Sequence, residues 1–160
     1  MNDAIVIVTG GASGIGRAVG ERLRADGWRV APFDVSREAL DSAWGDAASG
    51  DAAGVLPIVC DVADRASVEA AVAAVEGRGV IRGLVTCAGI YRAASMLEVT
   101  DEDFDALMAV NVRGTFLACQ VVARSMARTG GGSIVTVTSV AGSEPTAENG
   151  AYATTKGAVD

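Results

Sequence analysis

Short apolar runs alternate along this chain with longer stretches in which apolar residues recur at helical spacing. The runs rich in Val and Ile, Ala4 to Thr9, Arg29 to Phe33, Val55 to Cys60, Gly83 to Cys87 and Ser133 to Thr138, read as strands. Helical spacing predicts helices over Gly14 to Asp26, Arg37 to Trp44, Arg65 to Glu76 and Asp101 to Arg128. In the third of these Val68, Val72 and Val75 share a face, and Asp64 stands where a capping side chain belongs. Strands that are apolar at nearly every position are buried on both faces, so helices are expected on both sides of a parallel sheet. Right-handed crossovers then give an α/β fold with three layers, an open doubly wound sheet of strand order 3-2-1-4-5. A ligand crevice is expected at the reversal of that order, beyond the carboxyl ends of strands one and four. No internal repeat is found, and residues 1–160 are expected to form one domain. The stretch Gly45 to Gly54 reads as a surface loop, and Ala88 to Thr100 as a second connection lying above the crevice.

The turn after the first strand, VTGGASGIG, carries Gly10, Gly14 and Gly16 in the spacing G-x-x-x-G-x-G, with Ile15 between the last two. Glycines here let backbone approach a pyrophosphate closely, and the amides at the following helix N-terminus point at the anion. Thr9 and Ser13 offer hydroxyl donors. Without a ligand the same residues would make only a tight strand-to-helix turn. At the end of the second strand, Asp34 can accept both ribose hydroxyls of NAD and would repel the 2′-phosphate of NADP, so NAD is the expected cofactor. The plainer reading of Asp34 is a solvated loop residue or a cap for the next helix, and Arg37 three residues on would soften the preference. Asp61 and Val62 follow the third strand, where an adenine ring would lie. Ala88 and Gly89 follow the fourth and are small enough for a cofactor to pass close by. Alone, each of these pairs is no more than turn chemistry.

Composition narrows the chemistry. A chain of 160 residues is long enough for one sizeable core. The net charge of −7, with no run of Lys and Arg, excludes nucleic-acid binding through phosphates. Unbroken apolar runs fall short of the roughly 20 residues that cross a bilayer, so no membrane partner is expected. No basic stretch precedes the first apolar run, which reads as a strand and not as a signal peptide. Cys60, Cys87 and Cys119 form no C-x-x-C pair, and a reducing cytoplasm is the expected location. The absence of histidine removes Ser-His-Asp and Cys-His catalysis and the commonest zinc ligand, and no metal site is expected. Proton transfer near neutral pH is left to Tyr, Lys, Cys or a carboxylate.

Taken in order, TGGASGIG, Asp34, the DV at Asp61, the AGI at Ala88, NVRGTF at Asn111, IVTVTSVAG through Ser139 and YATTK resemble the short-chain dehydrogenase/reductase family in its shorter form. The resemblance implies a Rossmann-like fold and an oxidoreductase that transfers a hydride between NAD(H) and a secondary alcohol or ketone. It implies that Tyr152 is the general acid and base. A phenol titrates near ~10 and is a poor base at neutral pH. Lys156, four residues on and on the same helical face, would favour the phenolate and bond the nicotinamide ribose. By the same resemblance Ser139 holds the substrate oxygen, Asn111 seats a water that relays protons to Lys156, and Tyr152 and Lys156 both touch the cofactor. Taken alone, a Tyr and Lys four residues apart would be an ordinary helix-surface pair. A homodimer or homotetramer is also implied, with Asp101 to Arg128 the helix expected to pair between subunits.

Two departures stand out. The family usually has Asn before the AG motif, where the side chain ties neighbouring strands, and this chain has Cys87, whose thiol is a much weaker hydrogen-bonding group. Family members also continue past the lysine to complete the helix and add further strands and a substrate-covering segment. The expectation is therefore that these residues are part of a longer enzyme and that the fifth strand presents an apolar edge. A non-catalytic dinucleotide-binding remnant is the alternative. An epimerase or dehydratase of the related longer type is a second, with the spacing G-x-x-G-x-x-G that this chain lacks. The substrate is not legible beyond a small alcohol or ketone.

Overall fold

A computed structural model of the chain describes residues 3–45 and 54–160. Five parallel strands, β1 (Ala4–Thr9), β2 (Arg29–Asp34), β3 (Ile58–Val59), β4 (Val80–Thr86) and β5 (Ser133–Thr136), form one sheet of order β3-β2-β1-β4-β5. This is the expected doubly wound order. The helices are α1 (Gly14–Ala25), α2 (Arg37–Trp44), α3 (Arg65–Glu76), α4 (Asp101–Leu107), α5 (Thr115–Arg128) and α6 (Gly150–Gly157). Their starts follow local chemistry. Ser36 accepts from the amide of Ala39, Asp64 from that of Ala66, and Thr100 from that of Asp103, with three acidic residues in the first turn of α4. Of the expected Gly45 to Gly54 loop, residues 46–53 lie outside the described residues.

Ile5, Ile7, Phe33, Val68, Val72, Leu84, Leu117 and Val122 build the main core on one face of the sheet under α3 and α5. Val6, Val8 and Val30 face the other side, toward α1. Two strands are drawn differently from the sequence reading. The Val55 to Cys60 run pairs as a strand only at Ile58 and Val59, with an isolated bridge at Val55: Leu56 and Cys60 give their amides to the Val30 and Asp34 carbonyls, but between them Pro32 of β2, which faces this strand, has no N–H to give to the ladder. β4 begins at Val80, three residues before the expected Gly83. The register shifts between Ile5 and Val6, which leaves Arg82 without a partner across the ladder, and its guanidinium bonds the Gly131 carbonyl at 2.7 Å.

The Asp101 to Arg128 helix forms without a break, but its middle, Met108–Gly114, is a π-helix joining α4 to α5. By length and composition this helix could cross a membrane. One side of it is packed in the protein, where Leu107, Leu117, Val122 and Met126 are buried, while Phe116 on the outer side is exposed. β5 presents Ile134 and Val135 to solvent, as the sequence led one to expect.

Candidate functional site

At the carboxyl edge of the sheet lies a cleft of about 590 Å³, the size of an ordinary small-ligand pocket. Gly10, Ser13, Gly14, Ile15, Gly16, Asp34, Asp61, Val62, Ala88 and Gly89 line it, so nearly every residue singled out for the cofactor meets in one place. The glycines are needed for shape. Gly10 has φ of 64°, and a Cβ there would stand 2.8 Å from the Ala88 nitrogen; one on Gly16 would overlap the Gly10 carbonyl oxygen. Gly14, at φ 49°, has open space where a Cβ would be. Ser13 caps α1 without a side-chain hydrogen bond, and the first-turn amides that a helix leaves without internal partners lie along the cleft wall. Thr9 stands behind this lining. It is buried, and its hydroxyl accepts from the Ala88 amide at 3.2 Å, tying β1 to the loop after β4.

The turn is held from β2 and α2. The Gly11 amide donates to the Phe33 carbonyl at 2.9 Å, and the Ala12 amide donates to Asp34 Oδ2 at 3.2 Å. The buried indole of Trp44 donates to the Gly11 carbonyl at 2.9 Å. Asp34 Oδ1 accepts from the Ser36 amide at 3.2 Å, so each carboxylate oxygen carries one bond and keeps capacity for another acceptor role. On the far side, Asp61 accepts from the Ala63 amide, and Val62 packs against Gly114, where a Cβ would come within 2.7 Å of it. These residues fit an extended dinucleotide: bare amides for a diphosphate, a held carboxylate for ribose hydroxyls, and small residues at Ala88 and Gly89.

The residues that the sequence reading assigns to proton transfer lie on the π segment, the turn after β5 and α6, near the loop after β4. Lys156 is only 9% exposed, and its Nζ donates to the Val137 carbonyl at 2.9 Å. The same Nζ lies 5.9 Å from the centroid of the Tyr152 ring. Burial lowers the Lys156 pKa below the ordinary lysine value, against the opposing pull of the nearby Cys87, whose own thiol is pushed up by burial. Asn111, buried in the π segment, accepts from the Ile90 amide at 2.8 Å and donates from Nδ2 to the Ile90 carbonyl and to Thr155 Oγ1, both at 3.0 Å. Gly89 sits beneath them: its Cβ would be 3.3 Å from Asn111 Oδ1 and 3.9 Å from Lys156 Nζ. Ser139 opens a short 3-10 turn, Val140–Gly142, and its Oγ accepts from the Ala141 amide. That turn packs on α6 so tightly that a Cβ on Gly142 would lie 2.9 Å from the Gly157 nitrogen. Tyr91 meets the Tyr152 ring edge-on, with centroids 4.9 Å apart.

Several neighbours were not named for the cofactor. Val35, Cys60 and Val110 also line the cleft, as do Cys87 and Ile90 on either side of the Ala88 and Gly89 pair. Val35 and Ile90 directly follow the motif residues Asp34 and Gly89, a signal available from spacing alone. Trp44 and Thr155 carried no local signal.

A family model described as short chain dehydrogenase matches residues 4–160. The chain is 38% identical over 157 residues to a D-threitol dehydrogenase of Mycolicibacterium smegmatis, covering 98% of this chain and 60% of that protein. It is 44% identical over 159 residues to a 2-(R)-hydroxypropyl-CoM dehydrogenase of Xanthobacter autotrophicus, covering 97% and 64%. Among solved structures, a short-chain type dehydrogenase/reductase from Mycobacterium ulcerans superposes with a TM-score of 0.91 at 33% identity, covering 99% of this chain and 59% of that one. The chain thus spans about three fifths of the length of these relatives.

Proposed function

The chain belongs to the short chain dehydrogenase family, whose members use nicotinamide cofactors, and from that premise we propose that the protein is an NAD-dependent oxidoreductase interconverting a secondary alcohol and a ketone. The observation that carries the reading is the buried Lys156, fixed by the Val137 carbonyl beside the Tyr152 ring at the end of a glycine-walled cleft. When bound, the cofactor supplies the two-electron acceptor or donor; the rest is the work of this chain's own side chains.

Tyr152 takes the proton of the substrate hydroxyl, or returns it to the carbonyl oxygen in the reverse direction. The Lys156 cation favours its phenolate. Ser139 uses Oγ as an acceptor from Ala141, which leaves its own proton to donate to the substrate oxygen. Asn111 has its side-chain acceptor and both donors engaged, so a water at this residue would be held by the main-chain carbonyl. That carbonyl receives the Thr115 hydroxyl at 2.7 Å and has a second lone pair. The side chain's part is to lock the loop after β4 onto α6.

Preference for NAD over NADP is supported by Asp34 and by Arg37, which pairs with Asp41 at 3.6 Å on the exposed side of α2. Three free thiols suit a reducing cytoplasm. The homo-oligomer is proposed through the outer side of the π segment and α5, where Met108, Val112, Phe116 and Cys119 line an open groove of about 710 Å³ that a second copy would cover. Light scattering on the eluted protein tests it, and a monomer at all concentrations rejects it.

The decisive experiment follows reduced nicotinamide by its absorbance with a panel of secondary alcohols beginning with D-threitol and hydroxypropyl thioethers. NAD should support turnover better than NADP, and Tyr152→Phe should lower kcat about 10²- to 10⁴-fold with dinucleotide affinity unchanged. Full turnover by Tyr152→Phe refutes the mechanism. Dinucleotide binding with no turnover across the panel would favour the non-catalytic alternative.

A further inference from the structure

We infer that Thr155 is a positioning residue for the Tyr152 and Lys156 pair, its hydroxyl fixing the angle at which α6 meets the π segment; the inference rests on the oxidoreductase reading above. Thr155 is fully buried between the two residues it serves. Its Oγ1 donates to the Tyr152 carbonyl at 2.7 Å and accepts from Asn111 Nδ2 at 3.0 Å. The first bond is ordinary for a threonine in a helix, which commonly bonds the carbonyl three or four residues back. The second is not local, because it crosses 44 residues of chain to a different element.

Asn111 has two N–H donors. One goes to the Ile90 carbonyl and the other to Thr155, while its oxygen takes the Ile90 amide. A chain of hydrogen bonds therefore runs from the loop after β4, through the π segment, to the first turn of α6 and the backbone of Tyr152. Removing the Thr155 hydroxyl takes away the partner of a buried Asn111 donor and frees α6 to rotate about its remaining contacts. Rotation moves the Tyr152 ring and Lys156 Nζ together relative to the loop at Gly89. Misplacement of about 1 Å is enough to cost on the order of 10²-fold in rate.

Thr154 is the internal control. It is the adjacent residue with the same side chain, exposed, and its hydroxyl bonds only the Gly150 carbonyl of its own helix at 2.9 Å. The experiment compares Thr155→Val, Thr155→Ser and Thr154→Val. Thr155→Val should lower kcat about 10- to 100-fold, with a smaller loss of dinucleotide affinity because the diphosphate turn on β1 and α1 is untouched. Thr155→Ser, which keeps the hydroxyl, should restore kcat to within a few-fold of the parent, and Thr154→Val should leave it unchanged. An activity-independent readout is hydrogen exchange of the Asn111 side-chain amide by NMR, protected in the parent and faster in Thr155→Val. Unchanged exchange in Thr155→Val overturns the inference whether or not the protein turns over any alcohol. A kcat loss that only tracks the unfolded fraction, or one shared equally by Thr154→Val, overturns it too. Failure of the parent to oxidise any alcohol, with the exchange difference present, would reject the oxidoreductase reading and leave the bond's structural role standing.

Discussion

Replacing Trp44 with Phe should loosen the cofactor turn from a distance. The indole N–H reaches the Gly11 carbonyl from the last residue of α2, and the ring lies under α1, where a Cβ on Gly20 would be 3.0 Å from two of its carbons. Trp44 is 2% exposed and packs with Ala12, Leu40 and Val55. Phenylalanine removes the donor and leaves the buried carbonyl without a partner, which costs about 1–3 kcal/mol. The smaller ring leaves a void worth on the order of 1 kcal/mol more. A combined loss of roughly 2–4 kcal/mol corresponds to a Tm lower by about 4–16 °C for a chain of this size. Because the lost bond holds the turn in the shape that presents its amides, each ~1 kcal/mol by which alternative turn shapes gain should weaken NAD binding about fivefold.

Calorimetric unfolding and titration with NAD read the two effects separately. The packing part has its own check. Gly20→Ala gains about 1 kcal/mol of helix propensity, but in the parent that gain is offset by the contact with the Trp44 ring. In the Trp44→Phe background the added methyl group meets a smaller ring, so Gly20→Ala should stabilise there by close to its full propensity. The reasoning is refuted if Trp44→Phe leaves both Tm and NAD affinity where they were, or if Gly20→Ala has the same effect in both backgrounds, since residues in contact must show coupling.

Three further outcomes follow from the site. Asp34→Ser deletes a charged acceptor worth about 1.5–3 kcal/mol, so NAD affinity should fall roughly 10- to 100-fold while NADP affinity holds or improves; an undiminished NAD preference on titration would remove Asp34 from the cofactor reading. Lys156 has a folded pKa below its unfolded value, so between the two the unfolded chain binds more protons and stability rises with pH. In a Cys87→Ser background, which removes the neighbouring thiol, the stability of the lysine form relative to Lys156→Met should climb as pH rises through the lowered value toward ~10.4; a difference that shrinks with pH contradicts the burial argument. Burial pushes the Cys60 thiol up to about 11, with a smaller downward pull from the Ser67 hydrogen bond, so at mildly alkaline pH it should alkylate slowest of the three thiols and label fully only on unfolding, as peptide mapping would show. Labelling of Cys60 ahead of Cys87 and Cys119 would mean that the strand end at β3 is open.

The parts of this molecule legible in the sequence are those encoded by neighbours along the chain. Apolar runs marked the strands, Asp64 marked a helix start, and the glycine spacing marked the diphosphate turn. Local pattern fails where a partner across the fold decides. The Val55 to Cys60 run looked like an ordinary strand because its own hydrophobicity does not register the missing N–H of Pro32 on the neighbouring strand. β4 was cut short because Arg82 looks unlike a residue of a buried strand, although the bulge uses it to bind the Gly131 carbonyl. The π segment was invisible because, over the seven residues Met108–Gly114, apolar spacing does not distinguish a helix of period 3.6 from a slightly wider one.

The end of β5 joins these two kinds of information. The expected strand ran to Thr138, while the paired strand stops at Thr136. Val137 still gives its amide to the Thr86 carbonyl at 3.2 Å, so the backbone has not yet left the sheet; its own carbonyl is taken by Lys156 Nζ. The lysine read from the sequence as a chemical group is therefore also the residue that ends the strand, and it holds Val137 two residues before Ser139. Burying that ammonium costs solvation, and the carbonyl offsets part of the cost with a charge-assisted hydrogen bond. In this way one side chain draws the end of β5, the Ser139 turn and α6 to a single point, and no inspection of YATTK alone could have shown that its lysine shapes the sheet it faces.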